Sequence, residues 1–247
     1  MKPTNKYYQV LADILDNGQT QTNRKGSIKY TGSPERFPRM GCSITNQVLH
    51  LTPADLLDIF ETHGIARKKL RTELQMFEAG ITATEQYRAE GITWWDYCGE
   101  RLINSYPTYF RKFPALVEKI RQEMRESKNY VLFLGETGAQ TNQQPCLSLV
   151  QFQIENNATE STQSTTDGTN EPTNTGSLIV SAYQRSSDAS LGLPSDIYHL
   201  YLMAREIGIP LKSITLFLAN VHIYESNLLN TFRLLNGEKD IKFVLNV

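Results

Sequence analysis

The sequence predicts an α+β fold: a mixed, twisted sheet flanked by helices, in a single domain spanning its 247 residues. Three observations lead there. Helix-period and strand-period segments both occur along the chain. Two strand-like runs, 148–154 and 177–183, flank a polar stretch and suit an antiparallel hairpin. Apolar residues make up 40% and charged residues 21%, a balance that supports one packed core.

In chain order, residues 7–16 (YYQVLADILD) carry apolar side chains at helical spacing, and Gly18 is a stop. Residues 19–36 are polar and include Arg24, Lys25 and Gly26. Thr52-Pro53-Ala54-Asp55 is a helix start, with Thr as N-cap, Pro at the first position and an acid in the first turn. Helices are predicted over about 66–79, where Leu70, Leu74 and Phe77 share a side, and over 113–126. Residues 130–134 read as a buried strand. In 148–154 Val150, Phe152 and Ile154 alternate onto one face. From about 155 to 176 the chain is rich in Asn, Thr, Ser and Gly, too polar to order itself, and a flexible loop is expected. A helix from 194 to about 206, a strand at 213–219, a helix at 226–236 and a final strand at 241–247 complete the chain.

Charge and cysteine content exclude several classes. With 25 basic and 26 acidic residues the net charge is −1, so no global field favours nucleic acid or anionic membrane. An anionic ligand needs a local cluster of positive charge. Cys42, Cys98 and Cys146 are odd in number and form no CxxC pair, so neither a disulfide framework nor a zinc site is expected. Residues 1–9 hold no apolar leader and no stretch has the length of a membrane span, which suits a reduced, cytoplasmic protein.

Cys146 follows Pro145 at the mouth of the strand 148–154. A lone cysteine is usually a small core hydrophobe; its surroundings raise this one above that. The stretch YQRSSDASLGLPSDIYHLYLM (183–203), then NVHIY (220–224), closely resembles the thymidylate synthase family, whose motifs read QRS-x-D-x-x-LGLP-x-N and D-x-H-x-Y. QQPCLSLVQF (143–152) resembles the family's PPCH nucleophile motif and the strand after it. Upstream, ELQMFEAG (73–80), WWD (94–96), INSYP (103–107) and DNGQTQTNRKG (16–26) resemble further family segments in the same order.

The resemblance implies a thymidylate synthase-like fold, a homodimer, and transfer of a one-carbon unit from 5,10-methylenetetrahydrofolate to C5 of a pyrimidine nucleoside monophosphate, without a metal. The chemistry explains the residue types. Pyrimidine C5 is a weak nucleophile until a thiolate adds to C6. By resemblance Cys146 is that nucleophile, with Arg185 as the positive neighbour that favours the thiolate. Arg24, Arg185 and Ser186 match phosphate-binding positions, and His222 and Tyr224 match the pair that binds the sugar hydroxyl. Glu73 matches the carboxylate that organises proton transfer, and Tyr106 the tyrosine near the departing C5 proton. Trp95 and Asp188 match positions lining the folate site. Taken singly, Tyr224, Trp95 and Tyr106 also fit core aromatics, Glu73 a solvated helix residue and His222 a core histidine.

Four departures bear on the reaction. Asp196 stands where the synthases carry an Asn that reads the uracil edge. An ionised carboxylate only accepts hydrogen bonds, so it suits the 4-amino group of cytosine and repels O4 of uracil. Asp at this position resembles the cytidylate 5-hydroxymethylase branch, and a place in the first helical turn after Ser195 favours its charged form. Leu147 replaces the histidine that follows the nucleophile. Residues 125–130 (RESKNY) lack the family's consecutive Arg pair, for which Arg125 and Lys128 are candidate substitutes. Only 23 residues follow Tyr224, fewer than the family tail that closes over folate. The expected activity is hydroxymethylation of CMP or dCMP. The alternatives are a divergent thymidylate synthase or uridylate hydroxymethylase, and a catalytically silent nucleotide-binding homologue.

Overall fold

A computed structural model describes residues 5–22, 40–136, 144–156 and 176–244. Its centre is a seven-stranded mixed sheet in the order β1-β2-β7-β5-β4-β3, with β6 also paired to β7. The strands are β1 (Gln19–Thr22), β2 (Met40–Leu51), β3 (Val131–Phe133), β4 (Leu147–Glu155), β5 (Ser177–Gln184), β6 (Ser187–Asp188) and β7 (Leu211–Tyr224). β5 and β6 run parallel to β7, and the other pairs are antiparallel. The expected hairpin is the β4–β5 pair, and the segment joining its strands lies outside the described residues.

Helices α1 (Lys6–Asn17), α2 (Pro53–Thr62), α3 (Arg67–Glu78), α4 (Thr84–Ala89), α5 (Tyr106–Phe110), α6 (Phe113–Glu123), α7 (Gly192–Ile207) and α8 (Glu225–Leu235) complete the structure. In α1 the Asn5 side chain accepts from the Tyr7 amide at 3.0 Å, satisfying one orphan N–H, and Tyr7, Leu11 and Ile14 form the buried stripe. Gly18 makes the last helical bond, its N–H to the Ile14 carbonyl at 2.9 Å, and then leaves the helix at an extended ψ of 140°; a Cβ there would lie 2.3 Å from that oxygen. Thr52 and Asp55 form the reciprocal cap expected at the start of α2.

α7 buries Leu193, Ile197, Leu200, Met203, Ala204 and Ile207 in the core that Val180, Ala182, Ile214, Leu216, Val150 and Phe152 supply from the sheet. The opposite sheet face carries exposed apolar side chains. Register places Val48, Phe217, Tyr183, Leu149 and Phe133 side by side across five strands. Four of these five are among the most exposed large apolar side chains, from 44% for Tyr183 to 64% for Phe133.

Three expectations are corrected. β1 and β2 were not anticipated. The helix expected over 113–126 stops at Glu123, where Met124 takes a left-handed conformation at φ 40°. Of the strand expected at 241–247, residues 241–244 are described and are not in a strand. The Asn227 side chain takes the hydrogen bonds a neighbouring strand would make: it accepts from the Val244 amide at 2.7 Å and donates to the Val244 carbonyl at 2.9 Å. Phe243 then stacks on His63 with ring centroids 4.6 Å apart.

Candidate active site

The candidate residues gather at the end of the sheet where β4 begins and β5 finishes. Leu147 pairs with Gln184, and the register shifts between Leu147 and Leu149, a bulge directly after Cys146. The Arg185 amide donates to the Cys146 carbonyl at 2.9 Å. Its guanidinium reaches back, Nε to the Pro145 carbonyl at 3.1 Å and Nη2 to the Gln144 carbonyl at 2.7 Å. Arg185 therefore clamps the segment leading into Cys146 and brings positive charge to it. Cys146 is half-buried and in no disulfide among the described residues. Tyr106, at the start of α5, accepts from the Leu147 amide at 3.1 Å. Burial, with Asp196 and Cys146 nearby, holds its hydroxyl well above the ordinary tyrosine range.

Glu73 lies on α3 and is 2% exposed, which rules out the solvated-helix reading. Its Oε1 accepts from the indole N–H groups of both Trp94 and Trp95, each at 2.5 Å. Oε2 lies 3.3 Å from His199 Nε2 on α7. Burial pushes this carboxyl up to about 8; the two indoles oppose that shift and the charge of Asp196 adds to it. Around it, Tyr106 stacks on Phe77 at 5.3 Å and meets Trp95 edge-on at 6.0 Å.

Asp196 also sits on α7, and the Gln184 amide nitrogen donates to its Oδ2. The residue is half-buried, and the loss of solvent around its carboxyl governs its proton. Burial raises it to about 7; Gln184 opposes the shift and Asp188 adds to it. The first-turn placement is corrected: α7 begins at Gly192, so Asp196 is its fifth residue, and α7 has no acid in its first turn. Desolvation, not the helix dipole, dominates its charge state.

β6 lies beside β7 with Asp188 opposite His222. Asp188 Oδ1 accepts from the Ser190 amide at 3.1 Å and hydroxyl at 2.8 Å. His222 Nδ1 contacts Asn220 Oδ1 at 3.0 Å, and its ring meets Tyr224 edge-on at 5.0 Å. Ser186 lies between β5 and β6, directly after the bend at Arg185. Arg24 lies outside the described residues. The fold thus connects Glu73, Trp95, Tyr106, Cys146, Arg185 and Asp196, and sets Asp188, His222 and Tyr224 further along the same sheet end. Sequence reasoning missed Trp94, Gln184 and His199. Trp94 and Gln184 adjoin residues it did select; His199 gives itself away only as a histidine among the apolar residues of a helix.

These protonation states predict the pH dependence of stability. Glu73 keeps its proton to about 8 when folded, against 4.5 in its ordinary state, so the folded chain binds more protons across that interval and stability falls as pH rises. Asp196 acts the same way up to about 7. His63 and His199, held near 4 by burial against 6.5, act with the opposite sign, but only below 6.5. Between about pH 6.5 and 8 the melting temperature of the ligand-free protein should fall, with Glu73 contributing up to about 1.4 kcal/mol per pH unit. A melting temperature that rises over that interval would contradict the burial of Glu73 as a neutral acid.

The sequence matches the family model described as thymidylate synthase over residues 5–243. The chain belongs to the thymidylate synthase family, and its mixed sheet flanked by helices is that family's architecture. Its activity class is therefore one-carbon transfer to a pyrimidine nucleotide, with methylenetetrahydrofolate as donor. No curated protein sequence matches it. Among the described residues no group of three His, Cys, Asp or Glu is arranged to hold a metal ion, and no helix is long and apolar enough to cross a membrane.

Proposed function

We propose that this chain is a single-domain cytidylate 5-hydroxymethyltransferase acting on CMP or dCMP through a covalent Cys146–C6 adduct. The Gln184–Asp196 pair carries the reading. Gln184 donates its amide hydrogen to Asp196 Oδ2. What remains of the pair are two acceptor oxygens and the second N–H of Gln184. Asp196 Oδ1 takes no hydrogen bond from the described residues, and Gln184 Oε1 is buried without a partner among them. Two acceptors suit an exocyclic amine, which offers two N–H donors, and mismatch a carbonyl oxygen. Cytosine carries the amine at C4; uracil carries the carbonyl.

The remaining residues supply the other parts. Arg185, with Ser186 and Arg24, takes the 5′-phosphate, and His222 and Tyr224 take the sugar. The Cys146 thiolate adds to C6, and the C5=C6 pair moves onto C5, delocalised toward C4 and N3. Asp196 and Glu73 hold and return protons at that edge of the ring. Trp95 and Asp188 would hold the folate donor; C5 bonds to its methylene carbon as that carbon's bond to one of its two folate nitrogens breaks, the second breaking in the later elimination. The C5 proton leaves beside the Tyr106 hydroxyl, tetrahydrofolate is eliminated, and water adds to the exocyclic methylene. The hydroxymethyl group forms as the thiolate departs.

Release of a C5 tritium label tests base choice. With the folate donor present, labelled CMP or dCMP should lose tritium at least about tenfold faster than UMP or dUMP, the size of one mismatched buried hydrogen bond. Equal release from both bases would remove the support Asp196 gives.

The exposed apolar row on the sheet supports a homodimer formed through that face. The wild-type chain should sediment at twice its 28.1 kDa mass, and Phe217→Glu, which places a charge mid-row, should give the monomer. A wild-type monomer at micromolar concentration would overturn this.

A further inference from the structure

We infer that Trp94 is a positioning residue that, together with Trp95, fixes Oε1 of Glu73 as its accepting oxygen and leaves Oε2 as the oxygen that gains and loses the proton. This deepens, and rests on, the reading of Glu73 as the group that moves protons at the pyrimidine. Trp94 and Trp95 are the two central residues of a turn closed by the Asp96 amide on the Thr93 carbonyl at 3.1 Å. Arg88 of α4 pairs with the Asp96 carboxylate at 3.1 Å and ties the turn down. In a strand two consecutive side chains point to opposite faces. In this turn they converge, and both indole N–H groups donate to Glu73 Oε1 at 2.5 Å.

An indole nitrogen only donates, so neither tryptophan competes for the proton of Glu73. Each carboxyl oxygen has two lone-pair sites, and on Oε1 the indoles take both. The neutral acid therefore has its C=O at Oε1 and its O–H at Oε2. Loss of the proton leaves both indole bonds in place, so no donor has to reorient when Glu73 changes charge. Oε2 takes no hydrogen bond from the described residues: His199 Nε2 lies 3.3 Å away but gives its hydrogen to the Leu70 carbonyl. The other titratable groups facing Glu73 are Asp196 on α7, whose charge raises it, and Tyr87 on α4, which its charge raises in turn. Trp95 also packs on Phe77, Tyr97 and Tyr106. Trp94 makes no such ring contact among the described residues, and its bond to Glu73 is what joins it to the site.

The test is difference infrared spectroscopy of the ligand-free protein, with the Glu73 carboxyl band assigned by its loss in Glu73→Gln. Trp94→Phe keeps a ring and removes one of the two donors. The C=O band of the neutral acid should move to higher wavenumber, because the carbonyl at Oε1 loses a hydrogen bond. The midpoint of the Glu73 titration should rise by about one pH unit, the size of one lost hydrogen bond to a charged group. The limb of the kcat–pH profile that follows Glu73 should move up with it, with KM unchanged. If Trp94→Phe does not fold, benzothienylalanine at position 94, which keeps the shape of tryptophan without the N–H, carries the same expectation. A band that stays in place would put the C=O at Oε2, and an unchanged midpoint would deny the Trp94 bond; either would overturn the inference. Full activity in Glu73→Gln would instead sink the catalytic reading of Glu73, while the infrared titration still decides the role of Trp94.

Discussion

Cys146→Ala should lower turnover by at least about 10⁴-fold while leaving nucleotide binding measurable, because removing a nucleophile removes the whole covalent route. The structure explains why the loss should be confined to chemistry. Cys146 is held by its backbone, through the Arg185 amide, and the segment before it by the Arg185 guanidinium. None of those bonds uses the thiol. The phosphate and sugar contacts proposed for Arg185, His222 and Tyr224 should survive, so the variant should still titrate with nucleotide. Cys42→Ala and Cys98→Ala should retain turnover, since no step of the proposed chemistry uses either thiol. Appreciable turnover by Cys146→Ala would rule out the C6 adduct.

Asp196→Asn should shift the kcat/KM ratio of cytosine to uracil nucleotides toward uracil by about ten- to a hundredfold, from the 1–3 kcal/mol cost of a mismatched buried polar group. Gln184 sets the direction. While it donates to the position of Oδ2, the new carbonyl occupies that position and the new NH₂ stands where Oδ1 was. An NH₂ there has a hydrogen for O4 of uracil and clashes with the 4-amino group. The wild-type preference should itself depend on pH. Asp196 is held near 7, and once protonated it can pair with either base. Discrimination against uracil should therefore grow as pH rises through about 7. A ratio unchanged by the substitution would mean the carboxylate is not the selector.

What the sequence made legible is what a local pattern can encode. The stripe of α1, the cap of α2 and the alternation of β4 are each written within a dozen residues. β2 was not legible. Its Thr45, Asn46 and Gln47 break the apolar alternation, and its main partner is β7, whose residues lie far along the chain. The run 241–247 misled for the opposite reason. Its pattern is strand-like, but the Asn227 side chain takes backbone bonds that no sequence window displays. In the site, residue types were readable and their electrostatics were not. Glu73 could be selected from its motif, yet its enclosure by two tryptophans and a histidine depends on α3, α7 and the turn at 94–95 converging. Asp196 could be selected too, but its charge was assigned to a helix dipole when burial controls it.

The most direct test of the central claim is product identity. The protein is incubated separately with CMP, dCMP, UMP and dUMP in the presence of methylenetetrahydrofolate, and the nucleotides are analysed by mass. The account predicts that a cytosine nucleotide gains CH₂O, as a hydroxymethyl group on C5, and that the uracil nucleotides are converted poorly. A uracil nucleotide gaining CH₂, as a methyl group, while the cytosine nucleotides return unchanged would contradict it.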